Sequence, residues 1–259
     1  MKLCSLLAFL QHLTETLQVA LLPTLKEIWR TPSLLRRPRA LSRVYMSYLW
    51  IPMGEGVDQG GREVKQSLIP LNARGVVLDL GAGHGHTMDY LNRDLVTKFV
   101  ALEPNQLMHD RIRERAATAG YTESAGTLLI LPYGAEDISA IVSALGGPHS
   151  VDTLISVLTL CSVPSPEDTL QGLVELVLKP GGTFLFYEHV LSPRDDVAWW
   201  QRFWTPIWSR LCDGCRLDRP THVYVRKMGA WSTGRVWGKE GEEEENLFWH
   251  QVGIFTKAV

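Results

Sequence analysis

The sequence predicts an α/β protein with a Rossmann-like, doubly wound sheet of seven strands. Short apolar runs alternate with helical segments between residues 75 and 190, a pattern that is typical of a parallel sheet. A glycine-rich turn follows the first apolar run, at the position where such sheets bind their ligands. Of the 259 residues, 45% are hydrophobic and 21% are charged, as in ordinary globular domains.

Five parallel strands account for most of this region. The helix before the fifth strand is ended by a stop signal, Lys179-Pro180-Gly181-Gly182. Two further strands are expected at 222–227 and 247–258, with a solvated acidic loop at 242–245 between them. The five strands are predicted at 75–81, 98–104, 127–132, 151–158 and 183–188, and the helices between them at 106–119, 136–145 and 166–178.

The remaining segments flank the predicted sheet. Residues 1–61 are predicted to form an N-terminal amphipathic helix and a connector interrupted by prolines and glycines. The main domain then spans 62–259 and contains a lid segment at about 192–246. Aromatic side chains recur in this lid at helical spacing, and we expect them to form one wall of a ligand pocket. They are Trp199, Trp200, Phe203, Trp204 and Trp208, with Ile207 among them.

The turn after the first strand, from Asp79 to Gly85, is the central motif of the sequence. Glycine lets the backbone approach a bound ligand because no Cβ stands in the way. Position 86 is a histidine, so the G-x-G-x-x-G spacing of a pyrophosphate-binding loop is absent. The acid before the turn suits a cofactor with an amino-acid end and a cationic sulfonium. The predicted cofactor-binding residues here are Asp79, Gly81, Ala82, Gly83 and Gly85.

A second acid ends the next strand, about twenty residues after the glycine turn. Glu103 stands where an acid accepts hydrogen bonds from both hydroxyls of an adenosine ribose. We therefore expect Glu103 and the adjoining Pro104 to bind the nucleoside part of the same cofactor. A glycine turn paired with a terminal acid at this distance is more specific than either feature alone.

Charge and cysteine content narrow the function classes. The formal net charge of −2 predicts no nucleic-acid partner, because such partners need a basic surface. Cys4, Cys161, Cys212 and Cys215 have no disulfide-framework spacing, which favours a reducing, cytoplasmic compartment. Cys212-Asp-Gly-Cys215 followed by His222 lacks the second pair that zinc sites usually have, so we expect no metal.

The glycine turn and Glu103 resemble the class I S-adenosylmethionine-dependent methyltransferases, over most of residues 76–190. The resemblance implies S-adenosylmethionine as the cofactor and methyl transfer as the activity. In that family a segment after the third strand contacts adenine, which implies Ala135 and Glu136 as adenine contacts. The segment after the fourth strand lines the methionine end, which implies Leu158 and Thr159 there.

Three further blocks are similar to the methyltransferase-like protein 7 family. They are Leu-Thr-Leu-Cys-Ser-Val at 158–163, Phe-Tyr-Glu-His-Val at 186–190 and Asp-Gly-Cys at 213–215, the last with Arg219 and Thr221. That family consists of thiol methyltransferases held on endoplasmic-reticulum or lipid-droplet membranes by an N-terminal hydrophobic segment. The resemblance implies a small-molecule acceptor, with a thiol as the candidate. An N- or O-methyltransferase of a secondary-metabolite pathway and a non-catalytic cofactor-binding interaction protein remain alternatives at this stage.

Methyl transfer is a direct displacement, so the protein mainly aligns the reactants and excludes water. A thiol acceptor, with a pKa of about 8.5, needs only modest help to ionise. The predicted catalytic residues are Glu188 and His189 after the fifth strand and Asp213 in the lid. His189 is the first choice for contacting the acceptor because imidazole titrates near neutrality. Cys161 is expected to be a small buried pocket residue, since methyl transfer needs no covalent intermediate.

The N-terminal helix has two interpretations. Its apolar run is interrupted by polar residues at 11–18, which argues against a membrane-spanning segment. One apolar face can lie on a membrane surface, helped by the basic residues that follow, or can cover the catalytic domain as a cap. The first use predicts peripheral contact with an endoplasmic-reticulum or lipid-droplet membrane. That face consists of Leu3, Leu6, Leu7, Leu10, Leu13, Leu17 and Ala20.

Overall fold

The computed structural model describes residues 3–259, with side chains of the first helix described at 11, 14, 15 and from 17 onward. Its strands are β1 (Gly75–Leu80), β2 (Val96–Leu102), β3 (Leu128–Leu131), β4 (Val151–Val157), β5 (Leu178–His189), β6 (Trp231–Gly238) and β7 (His250–Lys257). They form one sheet in the order β3-β2-β1-β4-β5-β7-β6. Strands β1 to β5 are parallel, and β7 is antiparallel to both of its neighbours. The predicted seven-stranded, doubly wound sheet is confirmed.

The helices lie on both faces of the sheet and at its carboxyl edge. They are α1 (Leu3–Arg30), α2 (Pro38–Gly60), α3 (Arg62–Asn72), α4 (His109–Thr118), α5 (Ile138–Ala144), α6 (Pro166–Gly172), α7 (Asp195–Leu211) and α8 (Thr221–Lys227). A π-helical turn, Leu173–Val177, extends α6 up to β5. No helix in the described part of the chain is long and apolar enough to cross a membrane.

The core consists of two apolar layers, one on each face of the sheet. Successive side chains of a strand point to opposite faces. In β1, Leu78 and Leu80 pack with Ile141 of α5, whereas Val77 packs with Ile112 of α4. All five side chains are fully buried. Because β1 is covered on both faces, its apolar run is continuous rather than alternating.

The prediction of a connector at 31–61 is wrong for most of that segment. Residues Pro38–Gly60 form α2, although Pro52 lies inside the helix. An internal proline removes one backbone hydrogen bond and costs about 3 kcal/mol. Tertiary packing offsets this cost, because Leu49 of α2 is buried against Ala20 of α1 and Val197 of α7. Helix α2 is therefore part of the folded domain.

The predicted strand at 222–227 is also wrong. These residues lie in α8, where Val225 is fully buried in the core on one side of the sheet. The alternation of valine and tyrosine suggested a strand, but a run of six residues fits a short helix equally well when only one side chain must be buried. The edge strand β6 comes from the next segment, within the predicted lid.

The aromatic helix α7 has an inner and an outer side. Trp208 is buried, whereas Trp199 and Phe203 are 55% and 52% exposed and stack on each other at the surface. The interpretation of this aromatic face as a pocket wall is wrong for the outer pair. In α1, Leu17 is half-buried and Ala20 fully buried, and the other predicted apolar positions, Leu3, Leu6, Leu7, Leu10 and Leu13, lie outside the described side chains.

Candidate active site

The carboxyl ends of four parallel strands bring the predicted site residues to one edge of the sheet. Strands β2 and β4 lie on either side of β1, so the strand order reverses at this point and a crevice opens there. The glycine turn follows β1, Glu103 follows β2, and Leu158 follows β4. His189 is the last residue of β5. Helix α2 and the segment around Asp213 close the edge from outside.

The glycine turn adopts a conformation that its glycines require. Gly81, Gly83 and Gly85 have φ angles of 59°, 55° and 81°, which L side chains rarely adopt. A Cβ at Gly81 would lie 2.6 Å from a Thr159 side-chain carbon, and Ala82 between the glycines is buried. The Ala82 N–H donates to the carbonyl oxygen of the last β2 residue at 3.1 Å. The turn is thereby a hydrogen-bonded cradle with three positions that carry no side chain.

Asp79 lies beneath this cradle with an unsatisfied carboxylate oxygen. The side chain is 2% exposed, and Oδ2 has no hydrogen-bond partner among the described residues. Burial raises its pKa to about 7, against the opposing effect of a hydrogen bond from Thr87. A buried oxygen in this state calls for a donor. The ammonium of an amino-acid cofactor would supply one, so Asp79 fits the predicted group.

Glu103 is held by the backbone and keeps accepting capacity. Its Oε2 accepts from the Gly83 N–H at 2.9 Å, and its Oε1 accepts from the Asn105 N–H at 2.8 Å. Burial raises the pKa of Glu103 to about 7, and Asp213 adds to the rise. Each carboxylate oxygen can accept more than one hydrogen bond. Two ribose hydroxyls would therefore find acceptors here, as predicted.

Three predicted nucleoside contacts differ in exposure. Pro104 is half-buried beside Glu103, and Ala135 is buried in the core layer next to the third strand. Glu136 is exposed, and its carboxylate folds back over Gly134. The roles of these residues at adenine stay predictions.

The loop after β4 is anchored by Glu188. Leu158 has a left-handed φ of 53°, and Thr159 donates from its hydroxyl to the Leu80 carbonyl at 2.8 Å. Glu188 Oε1 accepts from the Thr159 N–H at 2.9 Å, the Leu160 N–H at 3.1 Å and a β4 serine hydroxyl at 2.7 Å. Its Oε2 is buried without a partner among the described residues, and burial raises the pKa. These bonds make Glu188 the residue that shapes the loop beside the glycine turn.

His189 lies against two cysteine sulfurs. Its Nε2 is 3.2 Å from the Cys215 Sγ, which in turn lies 3.4 Å from the Cys161 Sγ. The imidazole is 4% exposed, and Phe248 meets it edge-on. Burial opposes protonation of His189, but the interactions with Cys161 and Glu188 outweigh it and raise the pKa. The prediction of Cys161 as a small buried residue agrees with its 1% exposure.

Helix α2 covers the glycine turn. The Trp50 Nε1 is buried without a partner among the described residues, and a Cβ at Gly83 would lie 2.5 Å from it. Two hydrogen bonds fix the helix to the site: Ser42 Oγ donates to Asp213 Oδ1 at 2.9 Å, and Asn105 donates to the Arg43 carbonyl at 2.9 Å. Asp213 is exposed and reaches the site through Ser42 and through its charge on Glu103.

Sequence reasoning missed Trp50 and the grouping of Cys161 with His189 and Cys215. Trp50 stands in a segment that the sequence presents as a connector, and its proximity to Gly83 depends on α2 being a helix. The spacing of Cys215 points to its neighbour Cys212, not to side chains far along the chain. A usable signal was present, because the blocks at 158–163, 186–190 and 213–215 each contain one of the three residues.

The family of the chain follows from comparison with known proteins. Residues 58–224 match the family model described as "Methyltransferase domain". The chain belongs to this methyltransferase domain family. S-adenosylmethionine is its cofactor, which agrees with the buried oxygen of Asp79, the glycine turn and the position of Glu103.

Curated relatives carry thiol S-methyltransferase names. A stretch of 152 residues is 32% identical to thiol S-methyltransferase TMT1B of Rattus norvegicus and covers 58% of each protein. A stretch of 73 residues is 45% identical to thiol S-methyltransferase TMT1B of Homo sapiens and covers 28% of this chain and 30% of that protein. The chain therefore aligns with less than two thirds of the length of these curated relatives.

Solved structures share the fold. An O-methyltransferase family protein from Burkholderia thailandensis superposes with a TM-score of 0.55 at 18% identity, over 85% of this chain and 59% of that one. A geranyl diphosphate methyltransferase in complex with SAM gives a TM-score of 0.56 at 13% identity, over 78% of this chain and 85% of that one. At these identities the likeness establishes the fold alone.

Proposed function

We propose that this chain transfers a methyl group from S-adenosylmethionine to the sulfur of a small thiol. The observation that carries the proposal is the position of His189 at the end of β5, beside the sulfurs of Cys161 and Cys215. Cys161 follows the Leu158–Thr159 loop, which packs on the glycine turn. The names of the two TMT1B relatives support the same acceptor class.

The residues around the turn would hold the cofactor. Glu103 would accept from the ribose hydroxyls, and Asp79 would accept from the ammonium of the methionine end. Trp50 covers the turn and keeps water from that end, and Glu188 keeps the adjacent loop in place. When bound, S-adenosylmethionine supplies the methyl group as part of a sulfonium.

The cluster around His189 would stabilise the acceptor as a thiolate. A positive charge beside a thiol lowers its pKa, and most thiols need only a small shift to ionise near neutral pH. His189 would take up the proton of the acceptor thiol and so supply that charge, and its interactions with Cys161 and Glu188 raise its pKa against the effect of burial. Phe248 and Trp208 contribute apolar surface beside it. We therefore assign acceptor contact to His189 rather than to Asp213, which is exposed.

Turnover of methyl-labelled S-adenosylmethionine against small thiols, phenols and amines tests this function. We expect label on thiols, and we expect His189→Ala to lower kcat/KM by about 100-fold or more while cofactor affinity changes little. His149→Ala, which removes an exposed imidazole before β4 at the opposite edge of the sheet, serves as the matched control. Label on phenols or amines but not on thiols would overturn the thiol assignment, and cofactor binding without turnover of any acceptor would favour a non-catalytic role.

We also propose that α1 makes peripheral contact with a membrane. Leu22, Leu25 and Trp29 are 66%, 49% and 87% exposed, and Arg30 and Arg36 follow them. Exposed apolar side chains next to cations suit the interface of an anionic bilayer. Co-sedimentation of the full chain with anionic vesicles should fall several-fold for a Leu22→Ser and Trp29→Ser double variant. Unchanged co-sedimentation would refute the assignment of this face.

A further inference from the structure

Three side chains that can bind metal converge beside the carboxyl end of β5. The ligand atoms of Cys161, His189 and Cys215 all lie within 4.8 Å of one another. They come from three separate segments: the loop after β4, the end of β5, and the turn after α7. Cys161 and Cys215, like Cys212, are free thiols. The methyl-transfer chemistry assigned above uses His189 but gives the two sulfurs no role.

The spacing of these atoms matches that of a tetrahedral site. With zinc-to-ligand lengths of about 2.3 Å for sulfur and about 2.05 Å for nitrogen, tetrahedral angles place two sulfurs about 3.8 Å apart and a sulfur and a nitrogen about 3.6 Å apart. The Cys161 and Cys215 sulfurs are 3.4 Å apart, and the Cys215 sulfur is 3.2 Å from His189 Nε2. The third pair, the Cys161 sulfur and the His189 ligand nitrogen, lies within 4.8 Å, so small side-chain movements would admit the ion.

The surroundings also suit a soft divalent cation. Two thiolates and a neutral imidazole leave Zn²⁺ with no net charge, which a buried site tolerates far better than an isolated ion. Cys161 and His189 are almost fully buried, whereas Cys215 is half-buried, so entry is open on the Cys215 side. The Trp208 indole donates to the Cys215 sulfur at 3.3 Å and orients it.

We propose that Cys161, His189 and Cys215 bind a Zn²⁺-type cation and leave its fourth position for the acceptor. Three protein ligands with one open position are the arrangement of catalytic zinc sites. The fourth ligand, an acceptor sulfur, rests on the thiol methyltransferase function proposed above. On binding, the acceptor S–H would release its proton to solvent and the sulfur would coordinate as a thiolate, with no change of oxidation state. Binding of the ion would release the thiol protons of Cys161 and Cys215 to solvent, and the ion would then supply positive charge beside the acceptor sulfur.

Zinc binding to the full chain tests the site directly. The chain is reduced with a phosphine, freed of metal and titrated with Zn²⁺ against a chromogenic chelator. We expect about one Zn²⁺ per chain. Removal of outer hydrogen-bond partners alone costs 10- to 100-fold in affinity, so Cys161→Ser and Cys215→Ser should each weaken binding by at least about 100-fold. Cys212→Ser is the matched control, because the Cys212 thiol is also buried but lies outside the cluster. This variant should bind Zn²⁺ as tightly as the wild type.

Cobalt substitution tests the open position. Co²⁺ in the site should show thiolate charge-transfer absorption that is lost in Cys215→Ser, and addition of a small thiol should shift its visible bands. A wild-type chain that binds no more Zn²⁺ than Cys161→Ser would overturn the metal site. An unshifted cobalt spectrum at saturating thiol would overturn the fourth-ligand assignment.

The same preparations separate this inference from the proposed function. Cofactor binding by each variant reports that the chain is folded. Thiol methylation by a chain that binds no Zn²⁺ would refute the metal site and leave the function standing. Stoichiometric Zn²⁺ without methylation of any thiol would refute the proposed function and leave the metal site standing.

Discussion

Cofactor affinity should depend strongly on Glu103. In the wild type each carboxylate oxygen of Glu103 accepts one backbone N–H, from Gly83 or from Asn105. Glu103→Gln replaces one oxygen by an NH₂ group, which must then face one of these two N–H donors. The site loses a hydrogen bond to a charged acceptor and the charge that the ribose hydroxyls would meet. Hydrogen bonds of this kind contribute about 1.5–3 kcal/mol. The Kd for the cofactor should therefore rise by roughly 10- to 150-fold.

The same affinity should fall in acid. The pKa of Glu103 and that of Asp79 both stand at about 7 because the two carboxyls are buried. Their accepting, ionised forms are the ones that the cofactor needs. Below pH 7 binding must release protons, so Kd should rise by up to about tenfold per pH unit for each carboxyl. For the wild type, the slope of log Kd against pH should correspond to between one and two released protons. Glu103→Gln and Asp79→Asn should each remove the contribution of one carboxyl.

Calorimetric titration with S-adenosylhomocysteine from about pH 5.5 to about pH 8, in buffers of different ionisation enthalpy, measures both the Kd and the number of protons released on binding. Glu175→Gln is the matched control, since its carboxylate is exposed in the turn before β5, at the opposite edge of the sheet. The reasoning fails if Glu103→Gln binds the cofactor as tightly as the wild type near pH 8. It also fails if the pH slope of Glu103→Gln equals that of the wild type.

Three further substitutions test the structure around the site by thermal and denaturant unfolding. Gly83→Ala should lower the free energy of unfolding by about 1–3 kcal/mol, because its φ is left-handed and its Cβ would meet Trp50. Glu188→Ala should lower it by about 3 kcal/mol or more, since three donors lose their acceptor, whereas Glu188→Gln, which keeps an oxygen, should cost less. Lys65→Met should cost about 3–5 kcal/mol, because the buried Asp58 carboxylate loses its ion-pair partner.

Each of these predictions has a contrary outcome. A Gly83→Ala chain of wild-type stability would mean that α2 does not press on the turn. Equal effects of the two Glu188 variants would remove its role as an acceptor. For Lys65→Met the penalty should shrink in acid: burial opposes ionisation of Asp58, but the hydrogen bond and charge of Lys65, together with the Tyr90 hydroxyl, outweigh it and lower the pKa. The ion pair therefore stabilises above that pKa and is lost as the pH falls through it.

The central sheet could be predicted from sequence because each strand carries a local signal. Apolar runs bounded by glycine or proline define β1 to β5, and the glycine turn places the cofactor site at the end of β1. Glu103 was found for the same reason, since its distance from the turn along the chain reflects one βα unit. These features depend on neighbours in sequence, and the structure agrees with them.

Other features depend on packing between distant segments and left no local signal. Pro52 marks a break by propensity, yet α2 persists because Leu49 is buried between α1 and α7. The strand-like residues of α8 form a helix because only Val225 needs to reach the core. The grouping of Cys161 with Cys215 depends on where the turn after α7 meets the loop after β4, which no spacing along the chain encodes.

Helix α2 contributes to the candidate site, although most of it lies before the region that matches the family model. The family match begins at residue 58, whereas Ser42, Arg43 and Trp50 touch the site from residues before it. A fragment cut at the start of the match would keep the glycine turn and Glu103 but leave them uncovered. Substitutions in α2 can therefore change which acceptors reach the site while the matched region stays the same. Relatives that share this domain can therefore differ in substrate because of changes in the segment that corresponds to α2, and a comparison limited to the domain does not include that segment.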